Sequence, residues 1–179
     1  MGGLTRAARS YIIAIATLSV LALAVAVRAV WLNADSDFFV SVACLAALYA
    51  LVWLLRFRVG NTDADVGLSN VITLAAYPLV GFPGAVLLTL TSLLSGRPQP
   101  LIKRIFNSAQ LILSTALGAL VFMALGGSVG VASASVPALV GQVVAADVAY
   151  AVANGFLVAM VVHLADGVPF RQVVGGTMV

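Results

Sequence analysis

The chain has 179 residues, of which 63% are hydrophobic and 8% charged, and a mean hydropathy of +1.15; too few polar side chains remain to cover a water-soluble domain of this length, so lipid is the expected solvent. A formal net charge of +3 would point to nucleic acid in a soluble protein, but here the basic residues gather where apolar runs end, the pattern of topology determinants and anionic-headgroup contacts, and nucleic acid is not an expected partner. The single cysteine, Cys44, lies inside an apolar run and excludes an intrachain disulfide.

The first apolar segment is Tyr11 to Leu32, preceded by Arg6 and Arg9 and followed by Asn33, Asp35 and Asp37. Roughly 20 residues suit a spanning helix better than a signal core of about 7 to 15, so it reads as an uncleaved anchor. The second runs from Phe38 to Phe57, with Trp53 near its far end and Arg56 and Arg58 closing it. The loop Val59 to Asp65 has a turn composition of Gly, Asn and Asp.

Apolar sequence then continues from Val66 to Leu94, interrupted at Pro78, Gly81, Pro83 and Gly84. As one helix it would put Arg97, Lys103 and Arg104 outside, whereas a hairpin turning at Gly81 to Gly84 returns them to the cytoplasm with the other basic residues. Two prolines and two glycines this close together also favour a turn over a kink. The predicted arms, Val66 to Val80 and Gly84 to Leu94, are about 22 and 16 Å long at 1.5 Å per residue, short of a hydrocarbon core of about 30 Å. They either borrow flanking residues, thin the bilayer, or form a re-entrant pair shielded by neighbouring helices, and shielding is the favoured reading.

Arg97-Pro98-Gln99-Pro100 reads as a stiff cytoplasmic turn before a span over 105–125 that ends at Gly126-Gly127. A Gly/Ser/Ala/Val loop, Gly127 to Ser135, leads by a partly apolar stretch into a last span of about Val144 to Leu164. Asp166, Gly167, Pro169 and Arg171 mark its exit, and the tail from Gln172 to Val179 is expected to be too short to fold by itself. The expected architecture is an all-α polytopic bundle forming one domain, with six membrane segments including the short hairpin pair, multi-pass in the plasma membrane. Both termini are then cytoplasmic, and eight of the nine Lys and Arg residues, all but Arg28, fall inside. No internal repeat is visible, which leaves an inverted-repeat transporter unsupported.

Polar side chains at membrane depth are functional candidates by default. Asn107 and Gln110, spaced i, i+3, share a helix face one turn inside Lys103 and Arg104. They read either as interhelical glue, worth about 0.6 kcal/mol per hydrogen bond, or as a polar contact that passes a signal near the cytoplasmic surface. Asp147 and Asn154 are seven apart with Tyr150 between them on one face. Asp147 is the one carboxylate within reach of the hydrocarbon: it is hydrated if near the outer interface, and a proton or cationic-ligand site if buried. Arg28 reads as a snorkelling side chain within reach of Asp35 or Asp37, and His163 as an interfacial histidine lacking the companions of a metal site. No motif for phosphate cradling, nucleophile activation or metal hydrolysis is present, no cofactor slot is indicated, and no enzymatic activity is expected.

The run Lys103-Arg104-Ile105-Phe106-Asn107-Ser108-Ala109-Gln110-Leu111, followed by a small-residue-rich span to Gly126-Gly127, resembles the membrane-associated sensory region that precedes HD-GYP phosphodiesterase or GGDEF cyclase domains in bacterial signalling proteins. The layout is similar as well: two full spans, a short apolar pair broken at Gly81 to Gly84, a basic linker, and a last span carrying Asn154. The resemblance covers most of Arg56 to Arg171, and its distinctive positions are Phe106, Asn107, Ala109 and Gln110. It implies a membrane-embedded sensory and signal-transduction module that biases a cytoplasmic output domain or partner protein of cyclic-di-nucleotide metabolism, with a homo-oligomer compatible. The chain itself has no His-Asp pair, GYP or GGDEF sequence, so the family's catalytic residues have no counterpart in it. The alternative is a small-molecule transporter subunit, similar in size and six-segment layout to the vitamin-binding membrane component of energy-coupling-factor transporters.

Overall fold

A computed structural model describes residues 4–55, 68–94, 100–130 and 135–177. The described residues form helices α1 (Arg6–Asn33), α2 (Ser36–Leu55), α3 (Leu68–Leu88), α4 (Leu101–Ala124), α5 (Val136–Asp166) and α6 (Phe170–Thr177), with a 3₁₀ stretch over Thr89–Leu94 continuing α3. α1, the Val71–Thr91 region, α4 and α5 are long and apolar enough to cross a membrane, and α2 adds a shorter apolar helix. The predicted loop Val59 to Asp65 and the boundary residues Arg56, Arg58 and Arg97 lie outside the described residues.

Local chemistry sets most helix ends. The Thr5 hydroxyl accepts the Ala8 N–H at 3.1 Å, capping α1 five residues earlier than Tyr11, where the apolar run begins. The Asp35 carboxylate accepts the Phe38 N–H at 2.8 Å and caps α2 across a two-residue connection from α1. α4 begins at Leu101, so Lys103 and Arg104 belong to its first turn, and it ends at the expected glycine pair, where the Gly127 N–H returns to the Phe122 carbonyl at 3.0 Å. α5 starts at Val136, earlier than the span expected from Val144, because Pro137 falls at its first turn, where a missing N–H costs nothing. Part of the tail beyond Gln172 is helical, within α6. Alone it could not have folded, but Phe170 packs edge-on against Phe156 of α5 with ring centroids 5.7 Å apart, and the Pro169 carbonyl accepts the Gln172 N–H at 2.8 Å.

The predicted interruption between Pro78 and Gly84 resolves to a single residue. Gly81 has φ 61° and ψ −164°, a region that is essentially restricted to glycine. On either side the backbone is helical, with Pro78 in the last turn of the first arm and Pro83 in the first turn of the second. The chain doubles back here. A Cβ built on Gly84 would fall 2.3 Å from the Val80 Cβ, whereas successive turns of a continuous helix hold such atoms about 5–6 Å apart. The arms over 68–80 and 82–94 are each about 20 Å long, the second lengthened by its 3₁₀ rise of about 2.0 Å per residue.

Three tiers of packing fix how the helices run. At one end Ile12 and Ile15 of α1 meet Phe106 and Ala109 of α4 and Leu157 and Val161 of α5. There the Thr5 hydroxyl donates to the Leu164 carbonyl at 2.7 Å and the Tyr11 hydroxyl to the Leu157 carbonyl at 3.3 Å. In the middle, Ala26 packs with Val86 of the second arm and with Ile112 and Ala116. At the far end Tyr77 and Val80 of the first arm pack with Ala119, Phe122 and Ala146, and Phe38 and Val42 of α2 close over them. The turn at Gly81 reaches that far end: the Gly130 N–H donates to the Pro78 carbonyl at 3.0 Å, and Val129 lies against Gly81.

Burial follows the same plan. Of the most apolar stretch of each helix, 56% is buried in the doubled-back region and in α4, but 22% in α1 and 11% in α5. Val140, Val144, Val148, Val152 and Phe156 form an exposed stripe along α5, and Ile13, Val20 and Val25 are exposed on α1. Such continuous apolar surface is tolerable in lipid and not in water.

Candidate functional site

α4 and α5 run antiparallel, and their register follows from contacts along them. Phe106 and Ala109 lie by Leu157 and Val161, Gly118 approaches the Ala146 carbonyl, and the Gln142 side-chain amide donates to the Leu125 carbonyl at 3.0 Å. On this register Gln110 falls level with Asn154, Ser114 with Tyr150, and Gly118 with Asp147.

The tier at the far end, hereafter the upper tier, is built around Tyr77. Tyr77, fully buried, stacks on Phe122 with ring centroids 6.3 Å apart. Its hydroxyl occupies a notch on α4 that exists because residue 118 is glycine: a Cβ there would meet the hydroxyl at 2.4 Å and the Ala146 carbonyl at 3.0 Å. Asp147 and Tyr150 both lie within electrostatic range of that hydroxyl, and Tyr150 is in turn within range of Tyr49 on α2. A half-buried carboxylate is therefore within range of two phenols, Tyr77 of α3 and Tyr150 of α5. Asp147 is five residues, about 7.5 Å, below Gln142, whose bond to Leu125 marks the end of α4.

Buried oxygens without partners line the helix–helix seam and the tyrosine that packs against it. Tyr77 Oη, Ser114 Oγ, Thr115 Oγ1, Gln110 Oε1 and Asn154 Oδ1 are buried and bond to nothing. Hydroxyls in apolar helices ordinarily bond a carbonyl three or four residues back. Thr17, Ser19, Thr89 and Thr91 do so, at 2.9, 2.8, 2.6 and 2.6 Å. Ser114 and Thr115, at 0% and 1% exposure, do not.

The four residues singled out by sequence thus lie on one seam but in different tiers. Gln110 is buried and Asn107, one turn nearer the basic end, is half-buried. Asp147 and Asn154 are half-buried, with Asp147 about 12 Å above Gln110 by register. Sequence reading missed Tyr77, Ser114 and Tyr49 as companions. Ser114 was findable, because Gln110, Ser114 and Gly118 repeat at i+4 along one stripe. Tyr77 carried no periodic signal, only a hydroxyl in an otherwise apolar arm.

Arg28 is exposed on α1, and Asp35 is engaged as the cap of α2. His163 Nδ1 lies 2.7 Å from the Val168 carbonyl, so this nitrogen carries the proton and the ring braces the turn that ends α5. The chain matches no known family model, no curated protein and no solved structure.

Proposed function

We propose that the chain is a membrane-embedded sensory and signal-transduction module of the kind that precedes cyclic-di-nucleotide phosphodiesterase or cyclase domains. It has six membrane segments, both termini are cytoplasmic, and it sits in the plasma membrane. The observation that carries this reading is the bond from the Thr5 hydroxyl to the Leu164 carbonyl. It ties the start of α1 to the end of α5 beside the start of α4, the Lys103 to Leu111 run on which the resemblance rests. A change in packing along the polar α4–α5 seam is thereby delivered to one end of the molecule, where α6 and a cytoplasmic partner or output domain are reached. Arg6, Arg9, Lys103, Arg104 and Arg171 belong to that same end, which supports a cytoplasmic orientation for it.

The test is a chimera in which a GGDEF cyclase domain follows residue 179. Replacing Asn107 and Gln110 by leucine is expected to change cyclic-di-nucleotide output at least about threefold, the effect of roughly 0.6 kcal/mol. Output equal in the wild-type and variant chimeras removes the reading.

The buried oxygens without partners favour one second reading, a transporter membrane subunit whose solute would satisfy them. Thermal stabilisation of the purified protein by a vitamin, with chimera output unmoved, would select it.

A further inference from the structure

We propose that the upper tier of the α4–α5 seam binds a small monovalent inorganic cation, held by the Asp147 carboxylate with the Tyr77, Tyr150 and Ser114 hydroxyls. This rests on the sensory reading only in naming that cation as the input; the site itself stands on its own geometry.

Three observations converge. The first is that the unsatisfied groups are all oxygens: Tyr77 Oη and Ser114 Oγ are fully enclosed and have no partner. Burying such groups without a bond is costly, so a ligand that satisfies them is strongly favoured. Oxygens are the ligands of hard cations. The second is that Ser114 forgoes the backbone bond that Thr17, Ser19, Thr89 and Thr91 all make, which leaves its lone pairs available towards the seam. The third is charge. Asp147 lies within range of both phenols, and one carboxylate neutralises one positive charge.

The occupant is small and singly charged for stated reasons. Calcium takes about six to eight oxygens and usually several carboxylates, and no cluster of three acidic or metal-binding side chains occurs among the described residues. A multi-atom solute is disfavoured where the Tyr77 hydroxyl already fills the Gly118 notch. An alkali cation is the size of the water that would otherwise bridge these oxygens. Its path is short, since Asp147 is about 7.5 Å below the end of α4.

The experiment is thermal unfolding of the full chain in nanodiscs, in sodium, potassium or N-methylglucamine chloride at equal ionic strength. Sodium or potassium is expected to raise the melting temperature by at least about 3 °C over the bulky organic cation, saturably. Asp147→Asn and Tyr77→Phe are expected to abolish the difference; the second removes only an oxygen that bonds to nothing, so it leaves the fold intact. Equal melting in all three salts overturns the site, as does a difference that survives both substitutions. A salt-dependent melting shift that leaves the output of the cyclase chimera unmoved retains the site and removes its role as sensory input. Absence of the shift removes the site and leaves the sensory reading to the Asn107 and Gln110 variants.

Discussion

The contact between Tyr77 and Gly118 is where a single atom decides packing. Alanine normally improves a helix interior over glycine by about 1 kcal/mol. At residue 118, however, the added methyl would meet the Tyr77 hydroxyl at 2.4 Å and the Ala146 carbonyl at 3.0 Å. The ring cannot retreat, because it is fully buried and stacked on Phe122. Gly118→Ala is therefore expected to destabilise the protein by about 1–3 kcal/mol. In a Tyr77→Phe background the closest of these overlaps is gone, and most of the loss should be recovered. Melting of the four members of that double-mutant cycle in detergent gives the coupling, and additive effects would show that the two residues do not meet. Tyr77→Phe alone should be neutral or stabilising, since the buried hydroxyl it removes makes no hydrogen bond. Thr5 makes the opposite case. Its hydroxyl serves both the Ala8 N–H and the Leu164 carbonyl, and Thr5→Ala should cost about 1 kcal/mol and speed amide exchange in the first turn of α1.

At the scale of elements, the region 68–94 is built on one backbone conformation. Gly81, at φ 61° and ψ −164°, also lies where a Cβ would come 2.7 Å from Val129 Cγ2. Gly81→Ala is expected to cost about 1–3 kcal/mol for the backbone alone. The same substitution at Gly141 or Gly155, helical positions on α5 where a Cβ meets nothing within 4 Å, should stabilise by up to about 1 kcal/mol. Opposite signs in parallel melts check the pair of expectations. The existence of this break was legible in the sequence because proline and glycine act locally through φ and the missing N–H. Its confinement to Gly81 was not, since Pro83 and Gly84 look like turn residues until Pro83 takes the first turn of a helix. The end of α4 and the exit of α5 were legible for the same local reason. Helices α1 and α5 start ahead of the expected spans because hydropathy marks where lipid begins, whereas Thr5 and Pro137 mark where hydrogen bonding begins. The site divides likewise: Asp147, Tyr150 and Asn154 share one helix and could be read from spacing, but Tyr77 and Tyr49 reach them from other elements, which no periodicity reports.

For the whole molecule, the decisive relation is which ends of the helices share a face of the membrane. The Thr5 to Leu164 bond and the cluster of Ile12, Phe106 and Val161 put the start of α1, the start of α4 and the end of α5 together. Val129 against Gly81, the Gly130 bond to Pro78, and Phe38 close to Gly84 put the two opposite connections with the turn of the doubled-back arms. If lysine and arginine oriented insertion, the first of these ends is cytoplasmic. Cys44 is the one native thiol and is exposed, so it is first replaced by alanine. Single cysteines then go to Ala7 and Asp166 at one end and Asn33 and Ser128 at the other, all exposed positions. In right-side-out vesicles a membrane-impermeant maleimide is expected to label positions 33 and 128 at least about tenfold faster than 7 and 166, the contrast that an intervening hydrocarbon core of about 30 Å imposes. Labelling of 7 and 166 alone would invert the orientation and remove the proposed cytoplasmic output. Labelling of 7 and 166 from opposite faces would break the Thr5 to Leu164 pairing itself, and with it the proposed route from the α4–α5 seam to a partner.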